Sequence, residues 1–282
     1  MEVLDGKLVR NKELLELKEL LTKLEDKLSL VAISAGGYPS SKVYFNELAK
    51  MAEYLDCSFK KVFLPEDVTL DRLIDTIDKY NKDLNVDGIV VSFPLPKQFN
   101  ARQIMNKISP FKDVDCVNSF NNNNDFGDDG FIPCTATAVM DILNYYNVDI
   151  AGKSIVVLGR SQLVGIKIAD LMLKAGGRVR VCNSQTKDIS CATKTADILI
   201  SAVGKEGLVT CDMVKDGAVL VDVGVTIKDD RLYGDITDEA KEKALYATPV
   251  VRGVGPVTMV NLYKNLYKAY SLERKRSRFN CK

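Results

Sequence analysis

VVLGRSQLVGIKIADLMLKAG, Val156 to Gly176, opens with a short β-branched run, turns at Gly159 and continues as an apolar-periodic segment that predicts a helix beginning close to Gly165. A strand that ends in glycine and leads into a helix is the phosphate-facing turn of a doubly wound α/β domain, where backbone N–H groups and the positive helix end meet a pyrophosphate. The usual G-x-G-x-x-G spacing is absent; the pattern is Gly159-Arg160-Ser161, then Val164-Gly165. An ordinary strand-to-helix turn fits these residues too.

Outward from this turn the alternation continues both ways. Downstream, RVRVC, ADILIS and GAVLVDVG read as further strands; just upstream the helix TATAVMDILNYYN leads into KSIVVLG. Nearer the N-terminus, leucines recur at helical spacing in NKELLELKELLTKLEDKL, followed by the strand SLVAIS. A helix from Ser41 to Leu55 carries Leu48, Met51, Ala52 and Leu55 on one stripe, then come the strand FKKVFL, the helix TLDRLIDTIDKYNKD and the strand DGIVVSF, stopped by PLP. Such alternation argues for parallel sheet covered on both faces. VNSFNNNNDFGDDGFIP, from Val117 to Pro133, is too polar for a core and reads as a loop or interdomain segment. The expected class is therefore α/β with two domains: residues 1–137 together with a closing amphipathic helix, 258–282, and residues 138–257.

Composition limits the chemistry. The 282 residues, 46% hydrophobic and 27% charged, suffice for two modest domains. Lys+Arg of 39 against Asp+Glu of 38 leaves +1, so no whole-molecule field favours nucleic acid or an anionic membrane, and the basic end of the last helix reads as a solvated terminus. Histidine is absent, which removes the commonest general base, the commonest zinc ligand and every Ser-His-Asp scheme; no metal is expected. Carboxylates, Lys, Tyr, Cys or a bound cofactor must do the work. Seven scattered cysteines without a C-x-x-C read as free thiols in a reducing compartment. The charged start lacks a signal core and no run reaches the ~20 apolar residues that span a bilayer, so a cytoplasmic location is expected.

The strand after the turn ends RVRVCNSQTK. An NAD site wants a carboxylate there, about 20 residues beyond the glycines, to hold the ribose 2′-hydroxyl. Asn183, Ser184 and Thr186 stand there instead, and with Arg160 in the turn the residues favour a 2′-phosphate, hence NADP over NAD.

Nine segments in order, GYPSSKVY, DGIVVSFPLP, KDVDC, PCTATA, GRSQLVG, CNSQT, ADILISAVGK, GAVLVDVGV and TPVVRGVGPVT, resemble the bifunctional methylenetetrahydrofolate dehydrogenase/cyclohydrolase (FolD) family over nearly the whole chain. The resemblance implies an α/β catalytic domain and a Rossmann-type NADP-binding domain with a cleft between them, a last helix that returns to the first domain, and a homodimer formed through the Rossmann domains. It implies NADP-dependent oxidation of 5,10-methylenetetrahydrofolate to the methenyl form, then hydrolysis to 10-formyltetrahydrofolate. Carried over, Gly159, Arg160, Ser161, Gly165 and Ser184 bind the cofactor and Val225 sits beside it. Tyr44 and Asp115 face the folate, with Asp115 reading the pterin; Ser41, Pro94, Gly253, Gly255, Pro256 and Thr258 line the cleft.

The departures bear on the second activity. The family motif Y-x-x-x-K ends in the lysine credited with acid/base work in hydrolysis; here that position is Leu48, and the glutamine that contacts it in the family is Ser92. Lys42 and Lys50 lie well around the helix from the missing direction. Elsewhere, Val251 and Arg252 replace Pro and Gly, Cys116 stands where glycine is usual, and Asn183 replaces a histidine. Arg252 is equally suited to an anionic group of a ligand and to solvent. Cys116 and Cys134 read as small packing residues. Three readings follow: a dehydrogenase whose cyclohydrolase activity is weak or lost, a bifunctional enzyme using other groups, and a catalytically silent folate- or nucleotide-binding homologue.

Overall fold

The computed structural model describes residues 1–123, 130–229 and 231–280, with side chains described through Leu272. Part of the stretch read as a polar loop, 124–129, lies outside the described residues, as does Cys281.

In chain order the elements are β1 (Glu2–Val3), α1 (Gly6–Leu21), β2 (Ser29–Ala35), α2 (Pro39–Leu55), β3 (Ser58–Leu64), α3 (Leu70–Lys82), β4 (Gly88–Val91), α4 (Ala101–Met105), α5 (Ser119–Asn122) and α6 (Cys134–Tyr145). There follow β5 (Ser154–Leu158), α7 (Gly165–Lys174), β6 (Arg178–Cys182), α8 (Ile189–Thr193), β7 (Ile198–Ser201), β8 (Val219–Asp222), β9 (Val225–Lys228), β10 (Arg231–Gly234), α9 (Asp238–Glu242), β11 (Tyr246–Ala247) and α10 (Val254–Asn280). They form two compact units, Met1–Glu13 with Pro133–Asn261, and Leu14–Ile132 with Leu262–Lys282.

The first unit holds a six-stranded sheet in the order β1-β11-β8-β7-β5-β6, every pair parallel. Its central strands are buried throughout except at Ser154, the first residue of β5, which is why they read as apolar runs. Alternate residues feed two cores: Ile155, Val157, Ile198 and Ile200 meet Ile142, Ile168 and Met172 on one face. Val156, Leu158 and Leu199 meet Ala192, Val214 and Ala240 on the other. Because β6 and β7 flank β5 on opposite sides, the strand order reverses at the carboxyl end of β5, where an open α/β sheet leaves its crevice. Residues 1–13, assigned by the sequence reading to the first domain, sit with this sheet, since β1 pairs with β11 and Leu4 and Val9 enter its core.

The second unit is built on the parallel sheet β3-β2-β4. Val31, Ile33, Ile89 and Val91 pack there against Leu73, Ile77 and Ile104. Helix α2 starts at Pro39, whose fixed φ suits the first helical position, and stops where Asp56 takes φ 56°. Its buried stripe is Ser41, Phe45, Leu48, Met51, Ala52 and Leu55, the helical period of the sequence. The closing helix is anchored in this unit: the Tyr263 hydroxyl donates to the Leu48 carbonyl (2.7 Å), and Asn265 Nδ2 donates to the carbonyls of Val114 and Ile132 (2.9 Å each).

Helix α1 begins at Gly6, earlier than the leucine run that predicts it, and ends at Leu21 before EDKL. The β9–β10 hairpin and the two-residue strands β1 and β11 are additions to the expected elements. No helix among the described residues is long and apolar enough to cross a membrane.

Candidate functional site

Gly159 follows β5 with φ +107°, and a Cβ there would lie 2.4 Å from the Ala202 carbonyl oxygen, so the turn presses against the end of β7 as only glycine permits. A Cβ on Gly165 would lie 2.1 Å from the Gly159 carbonyl oxygen, so the second glycine lets α7 start directly behind the turn. Ser161 links the two, its carbonyl accepting from Ile166 N (3.1 Å) and its hydroxyl from Val164 N (3.2 Å). Such a cradle, closed to any side chain at its two tightest points, suits a pyrophosphate at a helix start.

Beside it is a cavity of about 540 Å³ walled by Gly159, Arg160 and Ser161 from the turn, Asn183 and Ser184 from the end of β6, and Val203 and Lys205 from the loop after β7. Among the described residues no carboxylate lines it. Asn183 Oδ1 accepts from Gln185 N (2.7 Å) and Asn183 N donates to Thr186 Oγ1 (3.0 Å), so the neutral turn after β6 is held by its own side chains while Ser184 stays exposed. Arg160 is exposed at the rim, where its guanidinium suits a 2′-phosphate. The residues therefore fit NADP. Gly165 is buried behind the turn, and Val225 is exposed on β9, adjacent to Gly204 through its backbone and outside the cavity wall. Val203, Lys205 and Leu208 line the cavity without having been singled out in sequence; a glycine just past a strand, in SAVGK, was the available signal.

In the same unit, Pro249–Gly253 leads into α10. A Cβ on Gly253 would meet the Pro249 carbonyl oxygen at 2.2 Å, and one on Gly6 would meet the Gly253 carbonyl oxygen at 1.9 Å. Gly255 faces open space, Pro256 is half-buried in the first helical turn, and the Thr258 hydroxyl is engaged by the Val254 carbonyl (3.2 Å). Arg252 has φ 69° and Cys116 φ 59°, so both keep a left-handed backbone at positions where glycine had been expected. Arg252 pairs with Asp5 (3.4 Å), which answers where its charge goes.

The other unit carries Ser41, Tyr44, Leu48, Ser92, Pro94 and Asp115. Ser41 and Leu48 share the buried stripe of α2, and Tyr44 is half-buried one turn before Leu48. Leu48 is fully buried. Register with β2 places Ser92 just past β4, and its hydroxyl donates to Ser41 Oγ (2.9 Å) in a buried pair. Pro94 is exposed. Asp115 is half-buried two residues from the fully buried Asp113, and burial pushes both carboxyls up to about 7, the Asp113 charge adding to the rise at Asp115. Asp113 is the better solvated of the two by protein groups: it accepts from Val117 N (3.1 Å), Asn118 N (2.9 Å) and Asn121 Nδ2 (2.8 Å). Those three donors favour the ionised form of Asp113, and its charge in turn favours the protonated form of Asp115. Cys116 and Cys134 are buried, in accord with packing roles.

Comparison with known proteins finds two matching domains, whose boundaries differ from the two units at residues 4–13 and 262–274. The tetrahydrofolate dehydrogenase/cyclohydrolase catalytic-domain model matches residues 4–115, and the NAD(P)-binding-domain model of the same family matches 133–274. Bifunctional protein FolD of Caldanaerobacter subterraneus subsp. tengcongensis is 40% identical over 270 residues, 95% of this chain and 96% of that protein. The solved structure of the Trypanosoma brucei methylenetetrahydrofolate dehydrogenase-cyclohydrolase (FolD), complexed with NADP cofactor and inhibitor, matches with a TM-score of 0.91 at 34% identity, covering 96% of this chain and 97% of that one. The Campylobacter jejuni bifunctional enzyme FolD gives 0.89 at 36% identity, covering 96% and 99%. The chain belongs to the tetrahydrofolate dehydrogenase/cyclohydrolase family, with that family's catalytic and NAD(P)-binding domains.

Proposed function

We propose that the protein oxidises 5,10-methylenetetrahydrofolate to 5,10-methenyltetrahydrofolate with NADP, and that its hydrolysis of the methenyl product is weak or lost. The observation that carries the second half is Leu48, fully buried and apolar where the family resemblance expects a lysine. Water addition to the methenyl carbon needs a group that takes a proton, and Leu48 has none. Ser41 and Ser92 bond to each other, and a serine hydroxyl is too weak a base near neutrality without an activating partner. Lys50 is drawn to Glu47 Oε1 (2.5 Å) on the exposed side of α2, and Lys42 is exposed.

Dehydrogenation asks less of the side chains. When bound, NADP supplies the hydride acceptor. Arg160, Ser161 and Ser184 would hold its 2′-phosphate region and the Gly159 turn its pyrophosphate. Asp115 would bind the pterin and, once ionised, offset the positive charge that grows as the methylene carbon becomes an iminium; Tyr44 would orient the folate. The names of the relatives favour a second reading, in which both activities persist and another group handles the proton.

One assay separates the readings. Purified protein with methylenetetrahydrofolate and NADP should produce NADPH and the methenyl chromophore together, with methenyl decaying no faster than in enzyme-free buffer. Faster decay would establish the bifunctional reading, and no NADPH at all would leave the silent one.

The proposal includes a homodimer through the NAD(P)-binding unit. Val225, Ile227 and Leu232 are exposed on the β9–β10 hairpin, where Leu232 pairs with Ile227, giving an apolar strip suited to a second copy. Light scattering at micromolar protein should give twice the chain mass; a monomer there would reject it. A cytoplasmic location is part of the same reading, supported by described cysteines that are all free.

A further inference from the structure

One wall of the dinucleotide cavity, the loop after β7, is held from behind by the Asp235 carboxylate, while the Thr226 hydroxyl donates to the Gly204 carbonyl (3.1 Å). Gly204 takes φ +74°, and the successive N–H groups of Val203, Gly204 and Lys205 turn to the same side. Backbone of this kind forms a concave nest that binds anions, phosphates included. Here the nest is filled from within the chain. Asp235 Oδ2 accepts from Val203 N (2.8 Å), Gly204 N (3.3 Å) and the Ser201 hydroxyl (2.7 Å), and Oδ1 accepts from Lys205 N (2.7 Å).

Asp235 is fully buried and is itself fixed. Its N–H donates to Asp222 Oδ1 (2.9 Å), the next N–H, of Ile236, donates to Asp222 Oδ2 (3.2 Å), and Lys241 Nζ lies 3.1 Å from that oxygen. A Cβ on Gly224 would fall 2.2 Å from Asp235 Oδ2, so the chain entering the hairpin also closes on this carboxylate.

We infer that Asp235 is a positioning residue for the dinucleotide: by filling the nest of the Val203–Lys205 loop it fixes the cavity wall formed by Val203 and Lys205 and leaves phosphate binding to the Gly159 turn. Four donors converge on two oxygens, so the group must accept on both. Asparagine has nearly the same shape but would turn an NH₂ against at least one of those donors, so the exchange tests the charge and the acceptors rather than the volume. The inference rests on the cavity being the NADP site.

The test uses the full chain, with NADP and a stable folate, 5-formyltetrahydrofolate, titrated separately. In Asp235→Asn the dissociation constant for NADP should rise about 10- to 100-fold, as for lost hydrogen bonds to a charged group, with folate affinity changed less than about 2-fold. Ser201→Ala removes one donor and leaves the backbone bonds, so NADP should weaken about 2- to 5-fold. In unsubstituted protein without cofactor, hydrogen exchange at the amides of Val203, Gly204 and Lys205 should already be slow, and NADP should add little further protection. Unprotected amides there, or unchanged NADP affinity in Ser201→Ala and in a folded Asp235→Asn, would overturn the inference while leaving the NADP site standing. Failure of the unsubstituted protein to bind NADP would instead overturn the site and the inference with it.

Discussion

Leu48→Lys combined with Ser92→Gln is expected to speed enzyme-dependent decay of the methenyl chromophore by about 10²- to 10⁴-fold, the range a positioned general acid/base contributes. The lysine would enter the buried stripe of α2, one turn beyond Tyr44 and two beyond Ser41. An ammonium in such surroundings is poorly solvated, so its pKa falls toward neutrality and the amine becomes able to take a proton from water. The glutamine would replace a hydroxyl now bonded to Ser41 by a longer side chain whose carbonyl can accept from the amine.

Each change alone should give little. Leu48→Lys by itself removes a fully buried apolar side chain and places an unpaired cation there, a loss on the order of 3–5 kcal/mol. Ser92→Gln alone supplies no base. The gain should therefore be non-additive, as for groups that act as a pair. NADPH formation serves as the fold control in the same cuvette. A double variant that still makes NADPH but leaves methenyl decaying at the buffer rate would show that Leu48 is not what limits hydrolysis.

How legible such features are depends on the range of the contact that makes them. The β5–turn–α7 segment could be read because its reasons are local: strand residues buried on both faces give an apolar run, and Gly159 and Gly165 are required by close backbone approaches. The α2 stripe is similarly local, whereas Leu48 could be singled out only through the family resemblance. Asp235 was not visible. It follows a short exposed hairpin, carries no periodic signal, and meets Val203 and Ser201 across 32 and 34 positions of chain. Strands β1 and β11 have two residues each and exist by pairing with neighbours, so no window of sequence displays them. The left-handed backbone at Cys116 and Arg252 was hidden for the opposite reason: the residue types argue against a conformation that the surrounding chain imposes.

Folate affinity is expected to rise about tenfold per pH unit up to pH near 7 and to level off above it, and Asp115→Asn is expected to abolish that dependence. Burial pushes both carboxyls, Asp113 and Asp115, up to about 7. The three donors at Asp113 favour its ionised form, and that charge strengthens the hold of Asp115 on its proton. A pterin offers N–H donors to a reading carboxylate, so binding requires the ionised form and must expel that proton at lower pH. Above about 7 it has already gone. Asp115→Asn still accepts through its carbonyl but lacks the charge, and should weaken folate binding about 10- to 100-fold at pH 8 while leaving NADP affinity unchanged. Stability moves the other way. A carboxyl whose folded pKa lies above its unfolded value holds a proton that the unfolded chain has lost, so between about pH 4 and 7 the folded state is stabilised by acid and loses that increment as pH rises. Unliganded protein should therefore unfold at a lower denaturant midpoint at pH 8 than at pH 6, with the difference smaller in Asp115→Asn. Fluorescence titrations with 5-formyltetrahydrofolate between pH 5.5 and 8.5 read the first effect and urea midpoints the second. A pH-independent folate affinity in the unsubstituted protein would mean that Asp115 does not read the pterin, whatever its state of protonation.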